Sequence, residues 1–133
     1  MTRTFCLLNH ALTQKQLCEL KDKFSSQTVL FPQKELSLEW SQIDPEKTND
    51  GIVLSVVRWL ESCGAKKGDL FIVQGEFGAT FKLVDYALEN GLIPVYATTR
   101  RVAKEKRCGE VVHREYVFEH VCFKRYGYFK EAL

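Results

Sequence analysis

"DLFIVQGEFGATFKLVDYALENGLIPVYATT", residues Asp69 to Thr99, is the stretch that decides the fold. Asp69 to Gly75 is an apolar run bounded by an acid and a glycine, which predicts a buried strand. "ATFKLVDYALEN" then places Phe81, Val84 and Leu88 in helical register, with Gly91 closing the helix. Leu92 to Thr99 reads as a strand again. Strand, helix and strand in this order make a crossover unit whose strands lie parallel.

The same alternation extends upstream. "TFCLL" (Thr4 to Leu8) predicts a first strand, and the helix after it, with Thr13 as N-cap, sets Leu17, Leu20 and Phe24 on one face. "TVLFP" (Thr28 to Pro32) predicts a second strand stopped by proline, followed by a polar stretch in which Trp40 and Ile43 are packed. Asn49 to Cys63 predicts a helix with Val53, Val56, Val57 and Leu60 inward and Gly64 beyond its end. Four strands alternating with three helices predict one α/β domain, residues 1–133, Rossmann-like, with a mainly parallel sheet and helices on both faces. After Thr99 the β-rich run "VVHREYVFEHVCF" and the turn-like "RCGE" (Arg107 to Glu110) predict a C-terminal hairpin or meander, although "RRVAKEK" by itself suits a helix as well.

Composition narrows the class. Hydrophobic residues at 45% and charged residues at 27% describe a soluble globular chain. The N-terminal residues lack a signal-peptide run, and no segment approaches the ~18 apolar residues of a membrane span, so a cytoplasmic protein is expected. Five cysteines without a C-x-x-C pair predict buried free thiols, with no metal site or cofactor called for. Residues 100–133 carry 9 basic and 5 acidic side chains, against 10 and 12 in residues 1–99. That asymmetry suits a phosphate-bearing ligand and is too small for a long nucleic-acid track.

In an open parallel sheet, ligands bind beyond the carboxyl ends of the strands. Three loops follow from that rule: Asn9 and His10; Gln74, Gly75, Glu76, Phe77 and Gly78; and Thr98, Thr99, Arg100 and Arg101. They supply N–H, hydroxyl and guanidinium donors for phosphate oxygens. Gly75 and Gly78 precede a helix whose N-terminus favours an anion, yet the loop lacks the Walker and dinucleotide signatures, and tight packing explains its glycines equally well. In "ATTRR" two hydroxyls and two guanidiniums are expected to converge. His10 suits an acid, a base or a structural hydrogen bond. His113 and His120 would face opposite sides of a strand and so make a poor metal pair. "FKRYGYF" (Phe123 to Phe129) interleaves Lys124 and Arg125 with Tyr126 and Tyr128, a mixture that grips phosphates and stacks bases, or else forms a solvated basic edge.

The strings "LLNHALT", "FPQKELSLEWSQIDPE", "QGEFGATF", "GLIPVYATTRR" and "YVFEHVCFKRYG", in this order from Leu7 to Gly127, resemble the small stand-alone CRISPR-associated ring nucleases of type III systems, which have a CARF-like fold. The resemblance implies a prokaryotic cytoplasmic homodimer that binds cyclic oligoadenylate, the tetra-adenylate above all, and cleaves it to linear products, switching off an antiviral signal. It implies ligand contacts at Asn9, Gln74, Gly75, Phe77, Gly78, His120 and Tyr126, while Arg100, Lys124 and Arg125 are candidate ligand contacts by their own charge, Arg100 standing where the family pattern is often acidic or polar. Glu76, Ala97 and Lys124 stand where aspartate, serine and arginine are expected.

The implied chemistry is metal-independent. Each ribose 2′-hydroxyl already lies beside a phosphodiester, so the protein need only hold it in line and stabilise the developing charge. Arg101, Thr98 and Thr99 are the expected phosphate and transition-state contacts, and His10 the candidate acid or base. Two other readings use the same donors: a non-catalytic sponge or sensor of the cyclic ligand, and a small RNA-binding module.

Overall fold

A computed structural model of the protein describes residues 2–133. The elements run β1 (Thr2–Leu7), α1 (Gln14–Phe24), β2 (Ser26–Leu30), α2 (Lys34–Ser41), α3 (Asp50–Ser62), β3 (Leu70–Val73), α4 (Phe77–Glu89), β4 (Ile93–Cys108) and β5 (Val111–Arg125), with a 3-10 turn at Phe129–Ala132. Five strands form one sheet in the order β2-β1-β3-β4-β5. The first four are parallel and β5 returns antiparallel to β4. Strand order reverses between β1 and β3, which puts the sheet's switch point at their carboxyl ends.

Alternation along β1 and β3 divides the core into two layers. Phe5, Leu7, Phe71 and Val73 face Trp40 of α2, Val56 and Leu60 of α3, and Ala79, Leu83 and Ala87 of α4. Cys6, Leu70, Ile72, Val95 and Phe123 face Leu20 of α1 on the other side. Helices therefore cover both faces, three on one and one on the other. At the amino end of β3, buried Asp69 accepts from Arg3 and from the backbone of Lys66, which ties the β3 entry to β1.

Several expectations need correction. The polar stretch after β2 contains a fourth helix, α2, whose buried residue is Trp40. The inward stripe of α4 is Ala79, Leu83 and Ala87, because alanines at that spacing let the helix approach the sheet closely; Phe81 is 76% exposed. In α1, Leu17 lies at the surface and Gln16 is buried in its place. Of the cysteines, all free, only Cys6 is fully buried, and burial pushes its thiol up to about 12; Cys18 and Cys108 are exposed.

The "RRVAKEK" segment is strand, not helix. β3 pairs with β4 only through Val95, whereas β4 and β5 stay paired to Cys108 and Val111. A two-stranded arm roughly 40 Å long thus continues beyond the carboxyl edge of the sheet. Gly109, with φ +66°, turns it back. The register shifts at Thr98/Thr99, where Thr98 faces Cys122 and Thr99 faces His120, so Val121 is the extra residue of a bulge at the root of the arm.

Candidate functional site

The loop after β3 is shaped by its own side chains. A Cβ on Gly75 would lie 2.6 Å from the Trp40 ring, and the Trp40 indole N–H donates to the Gln74 carbonyl at 3.0 Å. A Cβ on Gly78 would lie 2.8 Å from Asn49 Nδ2 and 3.0 Å from Glu76 Oε1. Glu76 folds back as the N-cap of α4 and accepts from the Ala79 N–H at 2.8 Å. The Ala79 N–H above all, then Asn49, Gly78 and Lys82, hold the Glu76 carboxyl below its usual range against an opposing desolvation. The anion position of this helix is therefore filled by the chain's own carboxylate. Gln74 spends its side-chain carbonyl on the Ala97 N–H at 2.8 Å, extending the β3–β4 seam by one rung. Phe77, at the start of α4, is 94% exposed.

The loop after β1 is open. Asn9 and His10 are exposed, and His10 Nδ1 lies 3.0 Å from the Ala11 carbonyl, to which it donates, leaving Nε2 without a partner. Asn9 borders a cleft of about 270 Å³ with Leu8, Lys34, Ser37, Leu38 and Ser41. Lys34 and Ser37 thus bring an ammonium and a hydroxyl to the end of β1, a juxtaposition hidden in the sequence because α2 has too weak an apolar period to show there.

The four residues of "TTRR" do not converge. They lie on a strand, so alternation sends Thr99 and Arg101 to the α1 side and Thr98 and Arg100 to the opposite side. The Thr98 hydroxyl donates to the Cys122 carbonyl at 2.9 Å and accepts from the Cys122 N–H at 3.3 Å, stitching the bulge. Thr99 is the exposed hydroxyl next to Arg101 on its face. The Arg101 guanidinium sits 3.7 Å from the Tyr116 ring centre, a cation–π contact worth about 0.5–1 kcal/mol at an exposed position. Arg101 lies roughly 13 Å along the strand from Ala97, the level of Gln74, so it stands on the arm and away from the β3 loop.

His120 closes a different network. Its Nε2 is 2.6 Å from Glu19 Oε1 and its Nδ1 3.4 Å from Gln16 Nε2, while Glu19 Oε2 accepts from the Phe123 N–H at 2.7 Å. Gln16 in turn accepts from the Thr13 N–H in the capping box of α1. Thr13, Gln16, His120, Glu19 and Phe123 form one satisfied chain pinning the root of the arm to α1. Both nitrogens of His120 are engaged, and the side chain is 5% exposed, so it serves as a fastening.

Tyr126 is likewise internal. Its hydroxyl donates to the Val73 carbonyl at 2.7 Å, its ring lies 4.7 Å from that of Tyr96, and burial, with Tyr96 a lesser cause, pushes its pKa up to about 12. Lys124 and Arg125 beside it are exposed. Tyr116 and Phe118, which the sequence reading passed over, are the aromatics that flank Arg101: Phe118 is 69% exposed. Their signal was the Tyr-Val-Phe alternation, which places both rings on one face of a strand.

These features define a class: a single-domain α/β protein with a mostly parallel sheet and a projecting hairpin arm that carries a stacked arginine. The chain belongs to the family described as uncharacterized protein MJ1673 family, whose model matches residues 2–124. It is 34% identical over 129 residues to the uncharacterized protein MJ1673 of Methanocaldococcus jannaschii, covering 96% of this chain and 98% of that one. No solved structure matches at a significant level. Among the described residues, no helix is long and apolar enough to cross a membrane.

Proposed function

We propose that the protein is a Rossmann-like, CARF-like ring nuclease that binds cyclic oligoadenylate, the tetra-adenylate above all, and cleaves it to linear products in the cytoplasm of a type III CRISPR-bearing prokaryote, acting as a homodimer. The observation that carries the reading is Arg101, held over Tyr116 at 3.7 Å with Thr99 beside it, on the arm that projects past the carboxyl edge where ligands of such sheets bind. The ordered series of strings from Leu7 to Gly127 supports it independently.

In this reading the ribose 2′-oxygen attacks the adjacent phosphorus, the bond to the 5′-oxygen breaks, and a 2′,3′-cyclic phosphate forms. Arg101 stabilises the charge on the non-bridging oxygens, a contribution of roughly 3 kcal/mol or about a hundredfold in rate. Thr99 orients the phosphate. Thr98 acts through the bulge that positions Thr99 and Arg101. His10, with Nε2 free, takes the 2′-proton or returns one to the leaving oxygen. Asn9, with Lys34 and Ser37 in its cleft, holds a neighbouring phosphate of the ring.

The test is to incubate the protein with cyclic tetra-adenylate in the presence of a chelator. Linear products ending in 2′,3′-cyclic phosphate are expected. Intact ligand after many protein equivalents overturns the nuclease reading, and retention of that ligand on the protein makes it a sponge.

A further inference from the structure

The two faces of the arm differ in kind. On the side away from α1, Arg100 stands across from Glu119, Lys104 across from Glu115 and Lys106 across from His113, and this face carries no phenyl or phenol ring. The α1 side carries the rings of Phe118 and Tyr116 with Arg101 and Arg107. Its carboxylate, Glu105, is already taken by Arg114 at 2.7 Å, and among the described residues neither Arg101 nor Arg107 has an ion-pair partner. Tyr116 is covered by the Arg101 guanidinium, which leaves Phe118, 69% exposed, as the open ring of this face.

An exposed ring with an unpaired guanidinium directly across from it is a poor seat for an apolar protein surface and a good one for a nucleobase with its phosphate. We propose that the α1-side face of the arm is a base-stacking platform for an adenine oligonucleotide, with Phe118 under the base, Arg101 on the flanking phosphate and Arg107 further out along the strand toward the tip. The identity of the base rests on the oligoadenylate reading above; the platform itself rests on the difference between the two faces. Linear oligoadenylate offers the same chemistry as the ring, so the product of cleavage would hold to the same face.

The experiment titrates the full-length protein against a linear oligoadenylate carrying 2-aminopurine, whose fluorescence reports stacking, and against cyclic tetra-adenylate. Loss of one stacked base corresponds to roughly ten- to hundredfold weaker binding. Phe118→Ala is expected to weaken both ligands by that factor, Phe118→Tyr to restore them, and Glu115→Gln on the opposite face to change neither. Wild-type affinity in Phe118→Ala overturns the platform, as does a wild-type protein that binds neither ligand. Wild-type cleavage of the ring by Phe118→Ala removes the platform and keeps the nuclease. Binding that depends on Phe118 without any cleavage keeps the platform and removes the nuclease.

Discussion

Gly75 shows how a residue is read differently alone and in place. In the sequence it suits a ligand approaching the backbone; in the fold the approaching group is the Trp40 indole, 2.6 Å from where a Cβ would be. Gly75→Ala is therefore expected to lower stability by about 1–3 kcal/mol, read as a shifted denaturant midpoint, because a rigid ring must move. An unchanged midpoint would show that the loop yields without cost. Arg101 was legible as a residue type, but its place was not: it lies within β4 and not in a loop beyond a strand ending at Thr99. Nor was its partner Tyr116, since the contact depends on hairpin register, which local patterning does not specify.

Among the elements, α4 was legible in existence and blurred in phase. Its apolar residues include Phe81 and Val84 as well as Leu83, and only packing against the sheet selects the stripe with two alanines. Its N-cap carries a pH signature. The Glu76 carboxyl lies below its usual range in the folded chain, so its contribution is present above the ordinary glutamate pKa and fades as pH falls through the lowered value. Glu76→Ala is expected to cost about 0.5–1 kcal/mol at pH 7 after solvent screening. The gap from wild type should narrow as pH falls below the ordinary glutamate range in chemical denaturation, and a gap independent of pH would assign the loss to something other than the charged cap. α2 escaped sequence reading because "KELSLEWS" has a single buried residue, Trp40, too few to show a period. β4 and β5 were legible as strands, but their length was not, because "RRVAKEK" carries charges that no sheet face explains until it is seen as an arm.

At the scale of the whole molecule, body and arm are separable by their core contacts. Both buried clusters are built from β1, β3, the helices and the roots of β4 and β5; from Val102 to Val117 the arm adds nothing to them. Replacing residues 102–117 with a short turn is expected to leave a cooperative unfolding transition and to abolish binding of cyclic tetra-adenylate. Loss of the transition itself would make the arm part of the fold. The layered α/β body could be read from alternating strands and helices, since each local pattern implies its layer. The site could not, because its rings and guanidiniums meet across a hairpin and its fastening crosses from α1 to β5 through Gln16, Glu19 and His120. The most direct test of the central claim is single-turnover cleavage of cyclic tetra-adenylate by wild type and by Arg101→Ala. The expected result is cleavage at least tenfold slower in the variant, with the unfolding transition unmoved; equal rates, or no cleavage by wild type, would contradict it.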